Sequence, residues 1–197
     1  MPQTIPPRNK VNKKYTWNAE SVFKSPKQWE SALKAVLADV PKVKKFEGKL
    51  GQSPASLLKG TQAIEDLLRR AYTVYMYAQF SYAVDATNQA SAAMVGKAQG
   101  MFGQVFAAVS FLNPELLKIG KKKLDSWMEK EKKLAVYRQD IDNLFRQQAH
   151  VRSAEVEEIL GMLAEPFEGP GTSTSMLVNA DFKFAPAEDS KGEKIDV

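Results

Sequence analysis

The sequence predicts a mainly α fold, with several helices, two of them long and antiparallel, and a short C-terminal β-hairpin. Three observations carry this. Apolar residues recur at three-to-four spacing through most of residues 25–163, the signature of helices with one buried face. Helix-start pairs stand where those runs begin: Ser25-Pro26, Ser53-Pro54 and Asn113-Pro114. The pattern changes to alternation only at Phe182 and Phe184, and again at Ile195 and Val197. At 197 residues and 44% hydrophobic, the chain suffices for one domain with a real core.

Residues 1–14 hold three prolines and four basic residues without an apolar run, so a loose tail is expected there. Tyr15-Thr16-Trp17 and Val22-Phe23 then suggest a segment that docks on the core. Ser25 caps the first helix, with Pro26 at its first position and Gln28 placed for a capping box. Trp29, Leu33, Val36, Leu37 and Val40 form its apolar face. Pro41 should kink or end it, and Gly48 and Gly51 mark a break.

Ser53-Pro54 starts a second helix of about 30 residues, roughly 45 Å at 1.5 Å per residue. A third is expected from Asn88 to Phe111, a fourth behind Asn113-Pro114-Glu115, and short ones around Leu124, Trp127 and Met128 and around Val136, Ile141, Leu144 and Phe145. Ser153 caps a helix whose apolar residues are Val156, Ile159, Leu160 and Leu163, with acidic residues in its first turn. Gly169-Pro170-Gly171 reads as a hinge or tight loop, and Ser175–Asn179 as a helical turn. Residues 15–178 are thus a helical body and 179–197 a hairpin, within one domain.

Composition narrows the function. With no cysteine, neither a disulfide framework nor a thiolate zinc site is possible, and a reducing, cytoplasmic setting is expected. The net charge of +5 is unevenly spread: residues 1–50 carry +7 and residues 151–197 carry −6. Opposite ends of this kind hold parts of one fold together as readily as they bind nucleic acid. The clusters Lys42, Lys44, Lys45, Lys49 and Lys121–Lys123 are interleaved with Glu47, Asp125, Glu129 and Glu131, so a solvated surface is expected and nucleic acid is not.

No catalytic or metal-ligating residue is assigned, and substrate-contacting residues are not identifiable. His150 is the sole histidine, followed by Val151-Arg152-Ser153-Ala154, so H-E-x-x-H is absent and His150 is best read as structural. There is no G-x-S-x-G elbow and no phosphate-cradling glycine loop. Gly96, Gly100 and Gly103 in an apolar stretch raise the question of a membrane span, but Lys97, Gln99 and Gln104 favour a helix packed closely through small residues. The rings of Tyr72, Tyr75, Tyr77, Phe80 and Tyr82 line either a core or a groove for extended peptides, with Tyr77 and Phe80 on a different side from the other three.

The order of local signatures resembles the N-terminal region of the oligoendopeptidase F family of zinc metallopeptidases. It runs from Tyr15-Thr16-Trp17-Asn18 and Val22-Phe23 through Trp29, Phe46-Glu47-Gly48-Lys49-Leu50, Ser53-Pro54 and Asn113-Pro114-Glu115-Leu116-Leu117. It closes with Tyr137-Arg138 and Asn179-Ala180-Asp181-Phe182-Lys183-Phe184. The resemblance implies a helical N-terminal lobe of a larger peptidase, with its catalytic domain and zinc ligands beyond Val197 and a channel that admits only oligopeptides. Zinc is then a cofactor of the longer parent and not of this chain, which should be inactive alone. Its partners are the catalytic lobe and, through the parent, oligopeptide substrates. The alternative is a stand-alone helical binding or adaptor module using its basic N-terminal half on nucleic acid or an acidic partner.

Overall fold

The computed structural model describes residues 10–150, 153–178, 182, 185–188 and 190–195. Residues 1–9 of the expected tail lie outside that set, and Lys13–Tyr15 is already a 3-10 turn in which the Asn12 side chain accepts the Lys14 N–H. A second such turn, Ala19–Ser21, leads to Phe23. Trp17 stands edge-on to Tyr77 and Phe80 at 5.8 and 5.6 Å, and Phe23 edge-on to Tyr77 at 5.1 Å, so ring contacts dock this segment.

Helix α1 spans Pro26–Lys44. Ser25 Oγ accepts the Gln28 N–H, while Gln28 Oε1 accepts the Lys24 N–H, one residue earlier than an ideal capping box. Trp29, Leu33, Val36 and Val43 are buried on one face. Contrary to expectation, Pro41 does not end the helix, which continues to Lys44. The proline forfeits one hydrogen bond near an exposed terminus, and Val43, packed in the core, secures the last turn. Gly48 then turns the chain at φ 75°, which favours glycine.

Helix α2, Pro54–Ala83, has 30 residues, as its sequence period predicts. Ser53 caps it through the Ser56 N–H at 3.0 Å. Its buried stripe includes Leu57, Ile64, Leu67, Ala71, Val74 and Ala78. Gly60 lies where α2 meets Leu50 and Phe46; a β-carbon there would run into Leu50 Cδ2, and Leu50 is fully buried. A tight turn follows, in which the Asp85 carboxylate accepts from the Thr87 N–H and hydroxyl. Asn88 then caps α3, Gln89–Val109, by accepting from Ala90 and Ser91.

Helices α1, α2 and α3 pack on one another as a three-helix bundle. The seam of α3 is Ala98, Met101, Val105, Ala108 and Val109. Gly96, Gly100 and Gly103 do not form it: a β-carbon on any of them would meet nothing within 4 Å, so close packing through small residues does not explain them. No helix among the described residues is long and apolar enough to cross a membrane.

Three short helices pack on one another and reach α2 chiefly through the 3-10 stretches beside them: α4 over Leu112–Ile119, α5 over Lys121–Lys130 and α6 over Arg138–Arg146. A 3-10 stretch, Lys132–Tyr137, joins the last two. Asn113 is not the cap of α4, which begins a residue earlier with Phe111 at the cap position. Pro114 therefore sits in the first turn, where its missing N–H costs nothing. Leu124, Trp127 and Met128 are buried as expected, and so are Ile141 and Leu144, but Val136 lies outside α6 and is 75% exposed.

Asp39 on α1 is pinned by Lys42 at 2.6 Å and by Arg70 of α2 at 2.8 Å. The Lys42 hydrogen bond, and then that of Arg70, hold its carboxyl below the usual carboxylate value. A depressed folded value means that the pair stabilises the fold above the ordinary carboxylate range and is lost as pH falls through the lowered value. In urea titrations across that acid window, Asp39→Asn should flatten the decline of the midpoint; an unchanged profile would show the bridge to be inert.

Candidate functional site

Beyond α6 the character of the chain changes. A 3-10 turn, Gln148–His150, precedes α7 over Ala154–Met162, whose cap Ser153 accepts the Val156 N–H at 3.4 Å. Helix α8 follows over Ala164–Met176, and both helices lie against α3. The expected face of α7 exists, yet it is not buried: Val156, Ile159, Leu160 and Leu163 are all exposed, Ile159 and Leu160 to 51% each. Met162 and Phe167 stand out further, at 68% and 71%. Contiguous exposed apolar residues on one arm mark an interaction surface.

Gly169-Pro170-Gly171 is not a hinge loop but lies inside α8. The Thr174 hydroxyl donates to the Pro170 carbonyl within the helix. Residues 177 and 178 continue the helix in a wider, π-type turn, and Asn179 lies outside the described residues. Strand β1, Ala187–Glu188, pairs antiparallel with β2, Lys194–Ile195, in register Ala187↔Ile195 and Glu188↔Lys194. Phe182 is not in a strand and Ile195 is, while Phe184 and Val197 lie outside the described residues.

Between α8 and the α2–α3 turn opens a cleft of about 810 Å³, walled by Tyr82, Asp85, Gln99, Phe167, Glu168 and Thr172 among others. Nearby, Phe102 stands between Tyr72, edge-on at 4.8 Å, and Tyr75, stacked at 4.8 Å, and Phe106 lies edge-on to Phe102 at 4.7 Å. Gln79 Nε2 donates to the Tyr75 hydroxyl at 2.8 Å. The two sides of α2 anticipated from its ring spacing are therefore distinct: Tyr77 and Phe80 take the N-terminal segment, Tyr72 and Tyr75 take α3. Tyr72 and Phe80 both remain 48% exposed.

The residues weighed for chemistry do not converge. His150 sits at the exposed end of its 3-10 turn, with its backbone N–H donating to the Gln147 carbonyl. The sequence has one histidine and no cysteine, and no group of three or more possible metal ligands lies among the described residues. The lysine clusters are compensated in part: Lys121 contacts Asp125 at 2.5 Å and Asp142 at 2.8 Å, and Lys42 contacts Asp39. These partners raise the Lys121 pKa, Asp125 more than Asp142.

What the fold and its surfaces define is a helical body carrying an exposed apolar arm. The sequence profile of the Oligopeptidase F family matches residues 115–184, from α4 through α8. The chain is 30% identical to Group B oligopeptidase PepB of Streptococcus agalactiae, over 96% of this chain and 32% of that protein. It is 27% identical to Oligopeptidase PepF of Bacillus subtilis, over 96% of this chain and 28% of that protein. The crystal structure of oligoendopeptidase-F from Enterococcus faecium superposes with a TM-score of 0.79 at 27% identity, covering 87% of this chain and 34% of that one. The chain thus spans about a third of the length of the curated relatives it matches. Together the matches support an oligoendopeptidase F N-terminal region, and the stand-alone basic module is not favoured.

Proposed function

We propose that the chain is the non-catalytic N-terminal lobe of a longer zinc-dependent oligoendopeptidase, and that it helps to form the wall of a channel restricting substrates to short peptides. Residues 15–178 are its helical body, and the segment from 179 onward leads into the catalytic domain. The observation that carries this reading is the exposed apolar arm on α7 and α8. Burying an Ile or Leu side chain stabilises by about 1.5–3 kcal/mol, so Ile159 and Leu160 have much to gain from a covering lobe. Zinc and peptide-bond hydrolysis belong to the longer parent, and the natural setting is the cytoplasm.

The test uses the protein expressed from its own gene and quenched-fluorescent peptides of increasing length. Short peptides should be cleaved, longer ones refused, and a metal chelator should abolish cleavage. Ile159→Asp with Leu160→Asp should lower activity and the thermal midpoint together by exposing the joint between lobes. A native-gene product without chelator-sensitive peptidase activity would end this reading.

A further inference from the structure

The cleft between α8 and the α2–α3 turn is lined by groups that a ligand can reach. Phe167, Glu168 and Thr172 of α8 are exposed, while Gln79 and Tyr82 of α2, Asp85 of the turn and Gln99 of α3 are half-buried. Its volume of about 810 Å³ falls in the range of ligand sites. An extended peptide needs partners for its main chain and a surface for a side chain, and the lining holds both. Gln79 gives its Nε2 to the Tyr75 hydroxyl and keeps Oε1 as an acceptor, and Gln99 carries both a donor and an acceptor. Phe167, 71% exposed, is the apolar surface.

The charge of the cleft has one sign. Asp85 and Glu168 are its charged residues, and no lysine or arginine is among the described residues that line it. The sequence holds no basic residue in the second half of α2 after Arg70, in the turn 84–88 or in α8. Lys97, the single charged residue of α3, is turned to α1, where it meets Glu30 at 3.0 Å. Asp85 accepts from the Thr87 N–H at 3.1 Å and from the Thr87 hydroxyl at 2.7 Å, both through Oδ1. These donors are neutral, so they orient the carboxylate without cancelling its charge.

We infer that this cleft receives the cationic part of an oligopeptide, an N-terminal ammonium or a basic side chain, with its charge facing Asp85 and Glu168, its main chain on Gln79 and Gln99, and a side chain against Phe167. The inference rests on the reading of the chain as the substrate-confining lobe of a peptidase, and adds a charge preference to it. An acidic residue in the same place meets two like charges, and an uncharged peptide gains neither contact.

The test uses the whole protein expressed from its own gene and short C-terminally amidated peptides of one length. One has a free N-terminus, one is acetylated, and two are acetylated with a single lysine or a single glutamate. Binding is measured by calorimetry with a chelator present, so that no peptide is consumed, and cleavage is followed separately without it. The free-ammonium and lysine peptides should bind about fivefold tighter than the acetylated neutral one, as for a partly exposed ion pair, and the margin should shrink with added salt. A preference for just one of these two supports the inference and identifies the source of the cation. Methyl NMR shifts at Ala83 and Ala86, which line the cleft, should report the bound peptide. Asp85→Asn with Glu168→Gln should erase the preference, and the asparagine can still accept from Thr87, so the turn is kept. Equal affinity for the lysine and glutamate peptides overturns the inference but leaves the peptidase reading intact if chelator-sensitive cleavage persists. A preference that survives the double variant also overturns it, because the selectivity then lies on another surface. Charge-selective binding without cleavage upholds the cleft and ends the peptidase reading.

Discussion

Replacing Trp29 by alanine is expected to lower the unfolding free energy by about 3–5 kcal/mol, the range for truncating a fully packed large aromatic. Trp29 is 1% exposed on α1. Its indole Nε1 donates to the Val74 carbonyl of α2 at 2.9 Å, so one side chain both fills the bundle and fixes the second helix against the first. Urea unfolding followed by circular dichroism measures the loss. Trp29→Phe keeps the larger part of the ring volume but loses the donor, so its cost should lie between the about 0.5–1.5 kcal/mol of the hydrogen bond alone and the Trp29→Ala loss. A Trp29→Ala loss below 1 kcal/mol would mean that α1 and α2 are not held at this point.

The second large effect is expected at Glu115. Its carboxylate accepts from the Gly48 N–H through Oε1 and from the Leu50 N–H at 3.2 Å through Oε2. Those amides belong to the α1–α2 connection, where Gly48 has turned the chain to positive φ and left them without helical partners. Hydrogen bonds to a charged acceptor are worth more than neutral ones, and Glu115→Ala should cost about 2–3 kcal/mol. Glu115→Gln keeps one acceptor oxygen and should recover part of this. Hydrogen exchange at Gly48 and Leu50 gives the local readout: both amides should lose protection in Glu115→Ala. If they keep it, the carboxylate is not their partner.

Both residues bear on what can be read from a sequence. The importance of Trp29 is legible, because its place in the three-to-four pattern of α1 predicts burial. Its hydrogen bond is not, because Val74 lies 45 residues away. For Glu115 the sequence gives the wrong reading: Asn113-Pro114-Glu115 has the form of a helix cap, whereas the glutamate leaves its own helix to cap a turn 67 residues earlier. The candidate surface shows the same division. The apolar positions of α7 are visible in the sequence, but periodicity reports which side of a helix is apolar and not whether anything covers it.

By itself the sequence determined the mainly α class, the starts of α1, α2, α3 and α7, and most of the buried faces of α1, α2 and α5. These features rest on capping and periodicity, interactions between residues at most four apart. It also determined that this chain cannot supply the histidine pair of a metallopeptidase helix, since composition alone excludes it. Only the tertiary structure decided that α1 runs past Pro41, that Gly169-Pro170-Gly171 is helical, that the glycines of α3 face open space, and that Glu115 serves the α1–α2 turn. In each case the local preference amounts to a few kcal/mol at most, and contacts made by distant parts of the chain are of the same size, so the packed arrangement determines which one prevails.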